Sequence, residues 1–436
     1  MATATQKIGL LTTTAFVVGN MIGSGIFVLP ATLAKYGSIS LLGWVFTAAG
    51  AIVLAKIFAN LSKLVSNQSG GPYVFARAGF GDFIGFLVAW GYWISVWVVN
   101  AGIAVAIIGA LSVFFPNLEE NALLSVLIGL AFIWFFTWIN IRGVKLSGKF
   151  AVVTTAFKLL PLVLIIVVGA FYFDLDNFPA FNNSEATDFD AFSAVSTLTL
   201  FAFLGIETAT IPAENIKDPE KTIAKATLLG TVIATLVYVL GTVVLFGLLP
   251  AGQLADSPAP FAEAGAVIAG EVGAYFIAGG AAIAAIGALN GWTLVVGQLP
   301  MAMARDNMFP KAFVKKNSKD APYLGLILGG VLSSAIMLMN FSESLVDQFE
   351  FIALLTTLCC LVPYLFVAAA YVLITIRKGL FAERKIQIGT LATIGVIYSI
   401  WAIYGSGVQT VFYGTFLLIA GLPVFGWMKY KQGKSI

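Results

Sequence analysis

Apolar runs of about twenty residues or more, separated by short polar loops, follow one another along nearly the whole chain. A run of roughly twenty residues is what an α-helix needs to cross the hydrocarbon core of a bilayer. Twelve such segments are read at 10–34, 39–64, 80–115, 122–141, 150–173, 191–213, 223–250, 264–304, 322–341, 346–376, 387–404 and 408–428. Charged residues make up 10% of the chain, against about a quarter in soluble domains. So few charges cannot cover a water-facing surface, which excludes a soluble enzyme. The fold class expected is an all-α polytopic membrane protein, one transmembrane domain over 1–436 with no large extramembrane part. The third and eighth segments are long for one span and predict strong tilt or a short non-spanning extension.

Charge placement tests the span count. With a cytoplasmic N-terminus, every one of the 24 Lys and Arg residues except Lys35 and Lys158 falls in a cytoplasmic loop, a cytoplasmic helix end or a tail. Acids such as Asp174, Asp176, Glu185, Asp188 and Asp190 crowd an opposite loop. A wrong count would scramble this asymmetry, which predicts both termini in the cytoplasm and residence in an inner or plasma membrane. The first residues lack a cleavable-signal pattern, so the first apolar run is read as a retained helix. A net charge of +3 gives no sign of a nucleic-acid partner. The chain has no histidine, and its two cysteines, Cys359 and Cys360, are adjacent in an apolar run near Pro363. That excludes a disulfide framework and a paired-cysteine metal site, and no role is assigned to either thiol.

Two spans carry the marks of a break. The first contains Gly19, Gly23 and Gly25 within Gly19-Asn20-Met21-Ile22-Gly23-Ser24-Gly25-Ile26-Phe27. Each glycine costs about 1 kcal/mol relative to alanine inside a helix. Close helix packing through small residues is one reading. The other is an unwound mid-membrane segment, tolerated where backbone faces protein or a wet cavity. The sixth span repeats the theme, with Gly205 beside Glu207 in an apolar run. Interrupted helices at matching places in two halves point to an inverted repeat of five plus five helices, 10–173 and 191–376, with helices at 387–428 added. Half-helix N-termini in that arrangement direct positive dipole ends toward an anionic group, such as a carboxylate, at the bilayer midplane.

Lys158 and Glu207 are the ionisable groups deepest in spans, which marks both as functional by default. Glu207 reads as a hydrogen-bonded strut for the broken helix or as a proton-carrying or gating carboxylate. Lys158 reads as a fixed charge tying the fifth helix to the broken first, or as a lysine that loads and releases a proton. Trp292 lies mid-span beside Gly291, away from the interfacial belt, where its ring face could hold a cation. Tyr92, Val96 and Asn100 share a helix face, and Asn100 could bond a substrate head or a neighbouring helix.

These residues resemble the amino acid–polyamine–organocation transporters, and within them the basic amino acid/polyamine antiporters of the arginine/agmatine type. The resemblance covers essentially the whole chain. It rests on the stretches at 19–27, 69–77, 92–102, 203–221 and 290–298, the last of which points most narrowly to the antiporters. It implies a LeuT-type fold and substrate contacts at Asn20, Ile22, Gly23, Ser24, Gly25, Ser95, Val96, Asn100, Phe201, Leu204, Gly205, Trp292 and Thr357. It implies gating or coupling roles for Tyr73, Tyr92, Lys158, Phe201, Glu207, Trp292 and Tyr364, with Tyr73 tied to pH response. A homodimer through the last helix is also implied. Phe201 stands where the antiporter pattern has tryptophan, Ser95 and Val96 differ from its side-chain pocket, and the pattern lacks a lysine at position 158. Branches that carry small neutral amino acids do place a lysine there, in the room of a sodium ion.

The expected function is exchange of a basic amino acid for its decarboxylated amine or another amino acid, with a small-molecule amino acid or amine and the bilayer as partners and no cofactor or metal. The alternative is a proton-coupled or facilitative permease for small neutral amino acids that uses Lys158 in place of sodium. A sodium site itself is disfavoured because 281–288 offers no hydroxyl oxygen to a hard cation. A membrane enzyme lacks a nucleophile–base pair, and a channel or receptor scaffold fits paired broken helices poorly.

Overall fold

The computed structural model describes residues 9–23, 25–65, 71–143, 148–207, 216–339, 342–431 and 433. Ser24, the 69–70 part of the stretch at 69–77, and 208–215 after Glu207 lie outside the described residues, as do the side chains of 148–157.

The chain opens with α1 (Leu10–Met21) and α2 (Gly25–Ala34), bent by 42° across the short break between them. Then come α3 (Ile39–Leu64), the short α4 (Pro72–Phe80), α5 (Asp82–Ser112), α6 (Asn117–Glu120), α7 (Ala122–Ile141) and α8 (Gly148–Gly169). The second half holds α9 (Asp188–Phe203), α10 (Pro219–Leu248), α11 (Ala251–Asp256), α12 (Pro260–Arg305), α13 (Tyr323–Met339) and α14 (Leu345–Arg377). It closes with α15 (Lys385–Gly405), α16 (Val408–Ile419) and α17 (Gly421–Lys431). Local chemistry sets many of these ends. Asn121, Thr187 and Ser344 cap α7, α9 and α14 by accepting from the amides of Leu124, Asp190 and Asp347. Proline opens α4, α10 and α12, where a missing N–H leaves nothing unpaired.

Among the described residues, eight helices are long and apolar enough to cross a membrane, or nine if α1 and α2 form one broken span. α13 and the Lys158–Tyr172 stretch are apolar but shorter. The two overlong segments resolve differently. α5 is one continuous helix of 31 residues, about 46 Å long at 1.5 Å per residue, and exceeds the hydrocarbon core of about 30 Å. α12 is interrupted at Ala269 and Gly270, where Gly270 takes φ +61, so its first turns form a separate piece.

α5 is the centre of the bundle. In its most apolar 18-residue window 94% of residues are buried, against 22% for the α16–α17 span at the rim. It packs along α14 on one side and α12 on the other. A helix apolar on every face suits that position. At one end of the bundle, Lys35 after α2 bonds Asp347 (2.5 Å) and Glu350 (3.2 Å) at the start of α14, and the Tyr36 hydroxyl donates to Glu350 at 3.0 Å. The lysine that broke the charge asymmetry is thereby neutralised.

Candidate functional site

The first break releases helix groups that side chains then recover. α1 stops at Met21, where the Ile22 amide still reaches the Val18 carbonyl at 2.7 Å but the Gly23 amide turns to Met21 at 2.8 Å. In an unbroken helix Gly23 would donate to the Gly19 carbonyl. That carbonyl instead accepts from the Lys158 ammonium of α8 at 3.2 Å. Lys158 is 6% exposed, and among the described residues no carboxylate pairs with it. A cation at a helix C-terminus opposes the partial negative charge there.

The second break is built the same way. α9 ends at Phe203, the Ile206 amide closes a tight turn onto the Phe203 carbonyl at 3.3 Å, and Gly205 sits at φ +108. Side chains with a Cβ rarely adopt that φ, so glycine is required by conformation. The Ala202 carbonyl, passed over by Ile206, accepts from the Tyr238 hydroxyl of α10 at 2.8 Å. Glu207 follows, fully buried, and its two oxygens accept from the hydroxyls of Tyr92 on α5 (2.7 Å) and Tyr364 on α14 (2.6 Å). The break is thus pinned to both central helices. The two breaks also meet, since a Cβ built on Gly205 would lie 3.5 Å from the Asn20 backbone.

A cavity lies where they meet. Asn20, Gly23 and Gly25 line it from the first break, and Phe201, Leu204 and Glu207 from the second. Tyr92, Ser95 and Trp292 complete the expected residues found there. Its volume is ≈ 30 Å³, enough for about two waters, so the cavity is small. Phe201 takes up part of the space. Its ring lies so near α2 that a Cβ on Gly25 would come within 2.8 Å of it, and Phe349 meets it edge-on at 5.5 Å.

Other expected contacts sit elsewhere. Ile22, Val96 and Asn100 are buried in helix packing, and Gly205 shapes the turn without lining the cavity. The face of α5 that lines the cavity runs Tyr92, Ser95, Val99, Ile103, rotated from the Tyr92, Val96, Asn100 face. Spacings of three and four both keep residues near one face, and an all-apolar helix gives no cue to choose between them. On α14 the cavity takes Thr356, whose buried hydroxyl has no hydrogen-bond partner among the described residues, while Thr357 donates to the Ala353 carbonyl at 2.7 Å. Cys360, to which no role was assigned, also lines the cavity. Tyr364 stands behind Glu207 rather than in the lining. Among the described residues, no group of metal-ligating side chains comes together.

Tyr73 lies outside this cavity, on α4. It is buried, and its hydroxyl donates to Asp306 at the end of α12 at 2.8 Å. Burial and the Asp306 bond raise the phenol above its ordinary range, so it keeps its proton at physiological pH. A pH response at this position must therefore act through the hydrogen bond. Tyr73→Phe is expected to remove about 1 kcal/mol from the arrangement in which α4 is bonded to Asp306, about a fivefold shift in its population. The alkaline limb of the transport profile should stay in place. Substrate uptake rates from about pH 5 to 9 check this, and loss of that limb in the variant would assign the titration to the phenol itself.

A cavity between two interrupted helices is how secondary transporters hold a substrate at mid-membrane. Residues 8–424 match the amino acid permease family. The chain is 32% identical over 433 residues to the putrescine transporter PotE of Haemophilus influenzae, covering 99% of both chains. It is 31% identical over 449 residues to the arginine/ornithine antiporter of Pseudomonas aeruginosa, covering 99% of this chain and 93% of that one. It is also 31% identical over 455 residues to the arginine/agmatine antiporter of Chlamydia pneumoniae, covering 99% and 92%. The chain belongs to the amino acid permease family, within the amino acid–polyamine–organocation superfamily. It is a multi-pass membrane transporter of amino acids or amines and not an enzyme.

Proposed function

We propose that the chain exchanges a basic amino acid for an amine or a second amino acid by alternating access, using the cavity between the two helix breaks. The observation that carries this reading is the convergence of both breaks, Trp292 and the Glu207 clamp on one small space. Full-length likeness to transporters whose names specify arginine, ornithine, agmatine and putrescine supports the substrate class. In this reading the Gly25 amide at the start of α2 takes the substrate carboxylate at a positive helix end, with Ser24 as a further contact. Carbonyls at the end of α9, near Phe201 and Gly205, take the α-amino group. The unpartnered Thr356 hydroxyl and the Trp292 ring take the side chain. Phe201 and Trp292 move to open the space, and Glu207 carries the motion of the broken α9 to α5 and α14.

The proposed topology has twelve spans. They are the eight long helices, the bent pair α1–α2, and the shorter α8, α9 and α13. Helices within 10–173 and 191–376 form the two inverted repeats of a LeuT-type core, with 387–428 as the added pair, and both termini are cytoplasmic. The charge asymmetry supports that orientation. A homodimer through α16 and α17 belongs to the same proposal, and the exposed Val408, Phe412 and Phe416 suit a helix facing lipid or a second copy.

Proteoliposomes loaded with arginine, ornithine, agmatine, putrescine, alanine or nothing test the reading, with labelled arginine outside. Uptake should require an internal cationic substrate, and uptake indifferent to internal substrate would end the exchange proposal. Trp292→Leu is expected to weaken a cationic substrate about thirtyfold, from about 2 kcal/mol of desolvated cation–π attraction, and alanine far less. Equal losses for both would remove Trp292 from side-chain recognition.

One observation favours a second reading. Lys158 places a fixed ammonium on the Gly19 carbonyl at 3.2 Å, where a hard cation could otherwise bind carbonyl oxygen. That suits a permease for small neutral amino acids. Labelled alanine uptake without arginine uptake would select it.

A further inference from the structure

We propose that a groove at the end of α17, beside the 311–315 turn, is a binding site for the phosphate headgroup of an anionic phospholipid. The groove lies at the membrane boundary, where the α16–α17 span ends, and opens ≈ 800 Å³ to water centres. That volume is within the range of about 300–1,000 Å³ typical of small-molecule sites. Arg77, Asp82, Lys311, Lys315, Trp427 and Lys431 are among its walls.

The charge in it is one-sided after internal pairing. Asp82, the one carboxylate among the lining residues, accepts from Arg77 at 3.0 Å and from Lys429 at 2.7 Å. Its neighbour Asp306 accepts from Tyr73. Lys311, Lys315 and Lys431 are exposed and, among the described residues, have no carboxylate within ion-pair distance. Three unpaired ammonium groups around one groove call for an anion. The aromatic side chains say which kind. Trp427 is 49% exposed and Tyr430 85% exposed in the last turns of α17, at the end of the last span, the place of interfacial anchors. The Lys431 ammonium stands 4.3 Å from the centre of the Trp427 ring, so cation and aromatic face form one surface. Ile419 and Leu422 leave further exposed apolar surface on α16 and α17 toward the bilayer interior. An occupant with a phosphate head and acyl chains meets both parts, whereas a free phosphate meets only the first. The inference needs the span and the groove but neither the sidedness nor the substrate proposed above.

The test uses the full chain in phosphatidylcholine nanodiscs with increasing phosphatidylglycerol carrying brominated acyl chains, read by tryptophan quenching and by native mass spectrometry. The comparison variant is Lys311→Gln/Lys315→Gln/Lys431→Gln, whose side chains are exposed and outside the transport cavity. Each lysine near an anionic surface contributes about fivefold, so the triple variant should lose about a hundredfold in preference for phosphatidylglycerol over phosphatidylcholine. Trp427→Phe should abolish the preferential quenching while leaving retained lipid visible by mass. Equal binding of both lipids to the unaltered protein would overturn the proposal. So would a triple variant that keeps the preference, displacement of the lipid by millimolar inorganic phosphate, or a second copy of the chain that excludes lipid from the groove.

Discussion

Replacing Glu207 with alanine is expected to lower exchange more than about a hundredfold and to lower the unfolding midpoint in detergent. Glu207 is fully buried and is the common acceptor of the Tyr92 and Tyr364 hydroxyls. Truncation would leave two buried donors without this acceptor, each at about 1–3 kcal/mol, and would open a cavity beside them. It would also cut the tie between the broken end of α9 and the two central helices. Glu207→Gln separates the two roles read for this residue. An amide of the same shape keeps one carbonyl oxygen, and a tyrosine hydroxyl can rotate to accept from its nitrogen. As a strut, glutamine should preserve the midpoint and keep exchange within about tenfold of the unaltered protein. A glutamine variant with a normal midpoint but no exchange would mean that the carboxyl's charge or proton takes part in the cycle.

Lys158→Met is expected to separate stability from transport in the opposite way. The ammonium is almost fully enclosed and donates to the Gly19 carbonyl at 3.2 Å. Burying a charge with no counter-charge is unfavourable, so an apolar side chain of similar length should hold or raise the unfolding midpoint. The same change withdraws a charge-assisted bond of about 1.5–3 kcal/mol from the break in the first helix, which predicts a ten- to hundredfold loss of exchange. Thermal unfolding and exchange of one preparation decide the matter. A midpoint that falls in step with exchange would make Lys158 a structural cap alone. Intact exchange with lost proton uptake would move the protein to the proton-coupled reading.

The positions of the helix breaks were legible in the sequence as one of two readings, beside close packing through small residues, because glycine frees the backbone. Gly23 and Gly25 flank the first break and Gly205 takes φ +108 at the second. Lys158 and Glu207 were readable because a charge in an apolar run must have a reason to be there. Which groups they meet was only partly readable. A strut at Glu207 and a tie from Lys158 to the first helix were among the alternatives. The two tyrosine donors and the Gly19 acceptor lie 115, 157 and 139 residues away in the chain. Tyr238, which recovers the Ala202 carbonyl, had no signal of its own, since a tyrosine in a span is ordinary until a carbonyl is left open beside it. The cavity face of α5 and the choice of Thr356 over Thr357 were likewise undecidable, because both helices are apolar or buried on nearly every side.

The sequence by itself determined the solvent this chain folds in, the succession of apolar helices and the two glycine-marked places where a helix can stop. Hydrophobic run length, charge count and glycine act locally, within a few residues of where they are read. Only the tertiary structure decided which carbonyl meets which side chain, how far α5 is rotated about its axis and which residues line the cavity. Those outcomes depend on packing between helices that lie far apart in the chain. In a bundle apolar on almost every face, no periodic pattern records it in advance.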